Sequence, residues 1–228
     1  MNYDQAVIEV LKTDNLFQFE ETEIRSVKYK AFKNTPKTLP DLLKYGKDKR
    51  EWDDFVIFEN ERITYDDFLI HINKLGSYLQ HELGVKKGDR VAVAMRNYPE
   101  YTVLFMAIVS IGAVIVFVNG WWTTEEMEYG FDDSEARICF ADRERLQVIK
   151  PFADKKNIKL ISTRAGEIKD ILSYENILKD SVPKKIEVDI DSDDDCAVMY
   201  TSGSTGHPKG VVLTHRGAIT ATFSWLMA

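Results

Sequence analysis

An α/β fold with a mostly parallel sheet and helices on both faces is what this sequence predicts. Three observations carry that reading. β-type runs alternate with helical runs of about ten to fifteen residues, the pattern of βαβ units. Runs such as "VAVAM" and "AVIVFVN" are apolar throughout, as strands buried on both sides are. Finally, 44% apolar and 29% charged residues over 228 positions describe a globular chain able to bury a sizeable core, in one large domain or two small ones.

The elements follow in order. Residues 1–37 read as an N-terminal extension, polar and irregular over 1–35, and residues 38–228 as one domain that is incomplete at its C-terminal end. A short helix is expected over "TLPDLLKYG", closed by Gly46. Two β-type runs, "FVIFEN" and "RITYDD", flank a turn at "ENE". Thr64 opens a helix in which Phe68, Ile72, Leu75, Leu79 and Leu83 recur at three- and four-residue steps, and Gly84 ends it. "GDRVAVAM" is a strand, "YPEYTVLFMAIVSIG" a helix with Pro99 in its first turn, and "AVIVFVN" a strand. Thr123 and Glu126 fit a capping box at the head of the helix "TTEEMEYGFDDSE". The strand "ARICFAD", the helix "RERLQVIKPFADKK" and the strand "IKLIS" continue the alternation. Val182–Asp195 reads as a connector with a solvated acidic end. The strand "CAVMYTS", a loop, the strand "GVVLTH" and the helix "RGAITATFSWLMA" come last. Trp225, Leu226 and Met227 have nothing after them to pack against, so a longer parent protein is expected.

Composition also excludes some classes. A net charge of −7 argues against a nucleic-acid partner, which needs a basic face. Cys139 and Cys196 stand far apart, in no metal-ligand pattern, and read as small buried hydrophobes in a reducing compartment. The N-terminus has acids where a secretory signal would be basic, so a cytoplasmic protein is expected. Val103–Val118 is apolar over sixteen residues, slightly short of the roughly 17–25 of a membrane span. Its first half is helix-friendly and its second β-branched, with Gly112 between as a C-cap. A buried helix followed by a buried strand is therefore preferred to a span.

The stretch Met199–His215, "MYTSGSTGHPKGVVLTH", carries the chemistry. It does not fit the Walker A pattern, since Pro208 stands where glycine is needed, and it joins strand to strand. The physics of phosphate binding still fits. Gly203, Gly206 and Gly210 can bare backbone N–H groups, Thr201, Ser202, Ser204 and Thr205 add hydroxyl donors, and Lys209 adds a mobile cation. Pro208 stiffens the turn before the lysine.

"YTSGSTGHPKG" resembles the phosphate-loop signature of the adenylate-forming (AMP-binding) superfamily, [ST]-[ST]-G-[ST]-T-G-x-P-K-G, and Thr201–Gly210 departs from it nowhere. "ITYDDF", "GVKKGDRVAVAMRNYPEY", "NGWWTTEEMEYGFDDSEARICFAD" and "VVLTHRG" stand in the family's order. "MRNYPEY" and "NGWWTTEEMEYG" look most like the fatty-acyl-type or class I acyl-CoA synthetases. The resemblance implies an incomplete large N-terminal domain of that fold. It also implies activation of a carboxylic acid by ATP to an acyl-adenylate, followed by transfer to CoA. By resemblance, Thr201 through Lys209 wrap the β- and γ-phosphates, Gly210 completes the loop, Thr201 contacts Mg²⁺, and Lys209 is catalytic in neutralising the departing pyrophosphate.

Other readings accompany this one. The family's "YGxTE" segment, its ribose-binding aspartate and its mobile C-terminal domain with the adenylation lysine are missing, so the chain alone is expected to be inactive. A stand-alone adenylation domain loading a carrier protein and an inactive ATP-binding fragment are the alternatives. The sequence identifies neither the acyl chain nor an oligomeric state. His207 fills the signature's variable position and receives no catalytic role, and His215 reads as structural rather than catalytic. Solvent exposure explains His71 and His81, and packing explains Trp121 and Trp122 better than a substrate role does.

Overall fold

The structure, a computed structural model, describes residues 2, 5, 8–10, 12, 14–49, 53–201 and 206–227. In chain order the strands are β1 (Phe19–Ile24), β2 (Val27–Phe32), β3 (Asp54–Phe58), β4 (Glu61–Thr64), β5 (Arg90–Ala94), β6 (Val114–Phe117), β7 (Ile138–Asp142), β8 (Lys159–Thr163), β9 (Leu172–Ser173), β10 (Asp195–Thr201) and β11 (Lys209–Thr214). The helices are α1 (Leu39–Lys49), α2 (Tyr65–His81), α3 (Pro99–Ser110), α4 (Thr124–Ser134), α5 (Arg143–Ala153), α6 (Tyr174–Asp180) and α7 (His215–Met227). The chain divides into a larger unit, Arg50–Asp189 with Asp195–Leu213, and a smaller one, Met1–Lys49 with Ile190–Asp194 and Thr214–Ala228.

The larger unit is built on one sheet. Six strands lie parallel in the order β10-β6-β5-β7-β8-β9, with β11 outside β10. Residues 202–208 are too few for a parallel crossover, so β10 and β11 form a hairpin. The strand order reverses around β5: the chain moves from β5 to β6 on one side and returns to β7 on the other.

Alternation of side chains decides which helix covers which face. Phe117 stacks on Tyr101 and tilts against Phe105, which puts α3 on that face. Ala92, Ala94, Val114, Val116, Cys139 and Ala141 form a buried cluster with Met127, Phe131, Leu146 and Ile149, which puts α4 and α5 on the other. Helices thus cover both faces, as the sequence predicts. Thr64 caps α2 by accepting from the Asp67 N–H, and Phe68, Ile72, Leu75 and Leu79 form its buried stripe. α3 is apolar nearly all round because α2 covers the side that the sheet does not. The Thr123–Glu126 capping box at the head of α4 is present in full.

Val103–Val118 is a helix and a strand, with Gly112 at φ +71 taking the chain from one into the other. Among the described residues no helix is long and apolar enough to cross a membrane. Both cysteines are buried, and burial raises both thiol pKa values, that of Cys196 to about 12.

Two expectations about these elements need correction. Residues 1–35 are not irregular: β1 and β2 form an antiparallel hairpin in which Glu21 faces Lys30 and Glu23 faces Lys28. Its turn uses Arg25 and Ser26 at φ 49 and 64 in place of an Asn-Gly pair, so the usual signal is missing. α1 continues through Gly46 to Lys49. Between β8 and Val182, a stretch to which the sequence reading assigns no element, the chain forms β9 and α6, and Ser173 caps α6 by accepting from the Asn176 N–H. The predicted connector after Val182 is present, outside helix and strand, and lies along α2, with the Lys184 N–H bound to Ser77 Oγ and Lys87 Nζ to the Asp189 carbonyl.

In the smaller unit, α7 contributes the buried Phe223, while Trp225 and Leu226 stay exposed. His215 is buried there, and its Nδ1 accepts from the Leu39 N–H at the start of α1. That is the structural role expected of it.

Exposure explains His81, whose Nε2 lies 3.0 Å from the Lys185 carbonyl, but not His71. His71 is half-buried with no hydrogen-bond partner for Nδ1, and desolvation lowers its pKa from 6.5. The unfolded chain therefore binds this proton more readily than the folded one. Stability from this group is complete above pH 6.5 and falls as the pH drops below that value. Urea titrations between pH 7.5 and 5 should show that loss, and His71→Gln should flatten it.

Candidate functional site

The carboxyl ends of β5, β6 and β10 surround a cleft of about 470 Å³, beside the loop that joins β10 to β11. In open parallel sheets this edge, where the strand order reverses, is where ligands bind. Met95, Tyr101, Phe117 and Met199 give it apolar walls, and Arg96 and Asn119 contribute polar ones. Burial pushes the Tyr101 phenol up to about 12, so the hydroxyl keeps its proton at neutral pH.

One buried ion pair ties the loops around this cleft together. Asp142 ends β7 and caps α5 by accepting from the Arg145 N–H. Its carboxylate also accepts from the Arg96 N–H just beyond β5, at 3.1 Å, and pairs with the Arg145 guanidinium at 3.2 Å. The two side chains are only 7% and 5% exposed. Arg145 Nε in turn donates to the Gly120 carbonyl beyond β6, at 2.9 Å. A Cβ at Gly120 would stand 3.0 Å from that Nε, so a larger residue would crowd the guanidinium. Trp121, 82% exposed, has the Arg96 and Arg145 guanidinium carbons each 5.8 Å from its ring centroid. Trp122 packs inward, edge-on to Tyr200 and over Gly130. Inward packing accounts for Trp122, and contact with two guanidinium groups at the surface accounts for Trp121.

The loop rises from a buried strand. Cys196, Ala197 and Val198 are buried, and the exposed Thr201 ends β10. Ser202, Gly203, Ser204 and Thr205 lie outside the described residues. Gly206 has φ +120, a backbone conformation that favours glycine. Lys209 is exposed at the start of β11, and its carbonyl lies 3.5 Å from Thr201 Oγ1, so the first and last residues of the loop stand together. Gly210 has a packing reason: a Cβ there would come within 3.0 Å of Val198 and 3.4 Å of Tyr200.

Both feet of the loop rest on α4. Tyr200 donates to Asp133 Oδ2 at 2.7 Å and lies 3.2 Å from the Gly130 carbonyl. Burial and the Asp133 carboxylate raise its phenol pKa. On the other side, the His207 ring stacks on Tyr129 with centroids 4.5 Å apart.

Of the loop residues that the sequence singles out, the structure places Thr201 at the end of β10, Gly206 in the loop and Lys209 and Gly210 at the start of β11; the sequence reading does not single out Arg145, Asp142, Tyr129 or Asp133. Signals existed for two of these: Asp142 is an N-cap residue at a strand–helix junction, and Arg145 follows it three residues later. Among the described residues no group of three or more His, Cys, Asp or Glu could hold a metal ion by itself. An exposed hydroxyl, a glycine of unusual φ and a lysine on one short loop suit a polyphosphate, whose own oxygens would supply most ligands of a bound Mg²⁺.

Known proteins resemble this chain in sequence and fold. The family described as "AMP-binding enzyme" matches residues 46–228. 4-Coumarate–CoA ligase 1 of Petroselinum crispum is 32% identical over 161 residues, which cover 71% of this chain and 29% of that protein. Long-chain-fatty-acid–CoA ligase FadD13 of Mycobacterium tuberculosis is 32% identical over 167 residues, 72% of this chain and 32% of its own. Among solved structures, the fatty acyl CoA synthetase of Mycobacterium tuberculosis superposes with a TM-score of 0.68 at 26% identity, covering 83% of this chain and 37% of that one. The anthranilate CoA ligase AuaEII, solved with anthranoyl-AMP, gives 0.73 at 24% identity over 78% of this chain and 35% of its own, a likeness of fold.

Arg145→Ala would leave the Asp142 carboxylate buried without its ion-pair partner. A loss of about 3–5 kcal/mol of stability is expected in urea unfolding, and pairing the change with Asp142→Asn should recover part of it.

Proposed function

Because the chain belongs to the AMP-binding enzyme family, we propose that its parent activates a carboxylic acid with ATP and passes the acyl group to the thiol of CoA. The observation that carries this reading is the sequence of the loop Thr201–Gly210, which follows the family signature at every position and begins where Thr201 ends β10. The chain spans about three-tenths of the length of the curated relatives it matches. It supplies the phosphate-binding part of such an enzyme, within an AMP-binding domain that we place at 38–228, after an N-terminal extension at 1–37.

In the first step a carboxylate oxygen attacks the α-phosphorus of ATP, the bond to the β-phosphate breaks, and pyrophosphate leaves. In the second, the thiol sulfur attacks the acyl carbon and AMP leaves with the electron pair. Negative charge grows on the pyrophosphate during the first step, so placed donors and cations accelerate it. Lys209 meets that charge, and the backbone and hydroxyls of Thr201–Gly206 hold the β- and γ-phosphates. Thr201 is the loop's ligand for Mg²⁺, which neutralises phosphate charge when bound. The relatives named above act on fatty and aromatic acids; the wording of "MRNYPEY" and "NGWWTTEEMEYG" favours a fatty or related organic acid, in a cytoplasmic setting.

Lys209→Ala tests the central role. In an enzyme that joins this chain to the rest of the family fold, ATP–pyrophosphate exchange should fall by about 10²–10³, as it does when one preorganised donor is lost. Exchange at the unmodified rate would remove Lys209 from the mechanism. Exchange without CoA thioester formation would point to a carrier protein as the acceptor.

Residues 1–228 alone should release no AMP from ATP with CoA and a panel of fatty acids. Holding reactants together supplies roughly 7–11 kcal/mol of such a barrier, and the phosphates are one end of ATP only. Turnover within tenfold of a full-length relative would show a more complete site.

A further inference from the structure

His207 occupies the signature's variable position, and phosphate chemistry does not call for an imidazole there. Its surroundings suggest another use. Tyr129 and Asp133 are four residues apart on α4 and share one face of the helix. Asp133 takes the hydrogen bond from Tyr200, the residue before Thr201. Tyr129 takes the stacked ring of His207, at an interplanar angle of 17° and two residues before Lys209. Pro208 lies between, with its φ fixed by the pyrrolidine ring. Fixing the His207 ring therefore fixes the direction in which the chain enters Lys209.

We propose that Tyr129 is a positioning residue for the phosphate loop: by stacking on His207 it holds Lys209 and Gly206 in the arrangement that receives a polyphosphate. The proposal rests on the phosphate-loop reading and adds a contact that the signature does not specify. Tyr129 touches no substrate, and the relevant property of both side chains is a flat ring. The phenol oxygen and the imidazole nitrogens are dispensable.

The test uses the 228-residue chain and inorganic tripolyphosphate as the probe, with affinity measured by calorimetry. Tyr129→Ala and His207→Ala should each weaken binding about three- to tenfold, the scale of one lost aromatic pair. Tyr129→Phe and His207→Phe keep a ring and should bind within about twofold of the parent. Equal losses in the Phe and Ala variants would overturn the proposal, since the polar atoms would then be the ones that matter. Unchanged affinity in Tyr129→Ala would also overturn it. Thermal melts identify any variant that has lost its fold. Hydrogen exchange at the Gly206 and Lys209 amides gives a ligand-free readout, faster in Tyr129→Ala and unchanged in Tyr129→Phe. If the parent chain does not bind tripolyphosphate, the phosphate-loop reading fails. The exchange data still decide the stack, and equal exchange in all variants would refute it.

Discussion

A buried carboxylate holds the working edge of this protein together. Asp142 satisfies a helix terminus, the backbone beyond β5 and a buried guanidinium at once. Removing a charge from water costs several kcal/mol, so a lone carboxylate at this depth would be untenable. Arg145 offsets that cost and passes the constraint to Gly120 beyond β6. Three successive strand ends are thereby locked around one cleft. Because every member of the network is partnered, it adds rigidity as well as charge balance.

A second charged cluster does comparable work at the far edge of the sheet. Arg164 pairs with Glu61 on β4 and Glu100 on α3, and its backbone N–H donates to Glu175 on α6. Its guanidinium also lies over Phe58 and Tyr98. The small β3–β4 hairpin has few partners of its own, and a two-stranded hairpin alone is marginal. Here the clamp to α3, with Phe55 against Tyr65 and Phe68, makes it part of the larger unit.

Much of this was legible in the sequence because periodicity and caps agreed. Thr64 with the Phe68–Leu79 stripe, Thr123 with Glu126, and the glycine at 112 each combine a pattern with a boundary, and each forms as predicted. The β1–β2 hairpin escaped because its turn is made by arginine and serine, residues that seldom take positive φ. α6 escaped because it is one short helix held by tertiary contacts, such as Lys74 Nζ on the Leu178 carbonyl. In the candidate site the loop stands out in the sequence, since its glycines, hydroxyls and lysine form a local pattern. The residues that hold the loop were not, since stacking and hydrogen bonding between α4 and β10 depend on pairings across about seventy positions that no local pattern records.

The helix α4 shows how one element serves both fold and site. Its buried face, with Met127 and Phe131, anchors it to the sheet. On the same helix Gly130 makes room for Trp122, since a Cβ there would stand 2.7 Å from the indole ring. That lets Trp122 wedge against Tyr200, and Gly210 across the hairpin leaves space for Tyr200 in turn. Tyr200 can then reach Asp133, one helical turn beyond Tyr129. The 3.6-residue period divides the helix between these tasks, with apolar positions turned into the core and Tyr129 and Asp133 turned toward the loop. The glycines at 130 and 210 therefore matter to the site through the aromatic rings they admit, and the loop inherits its placement from the core of the sheet.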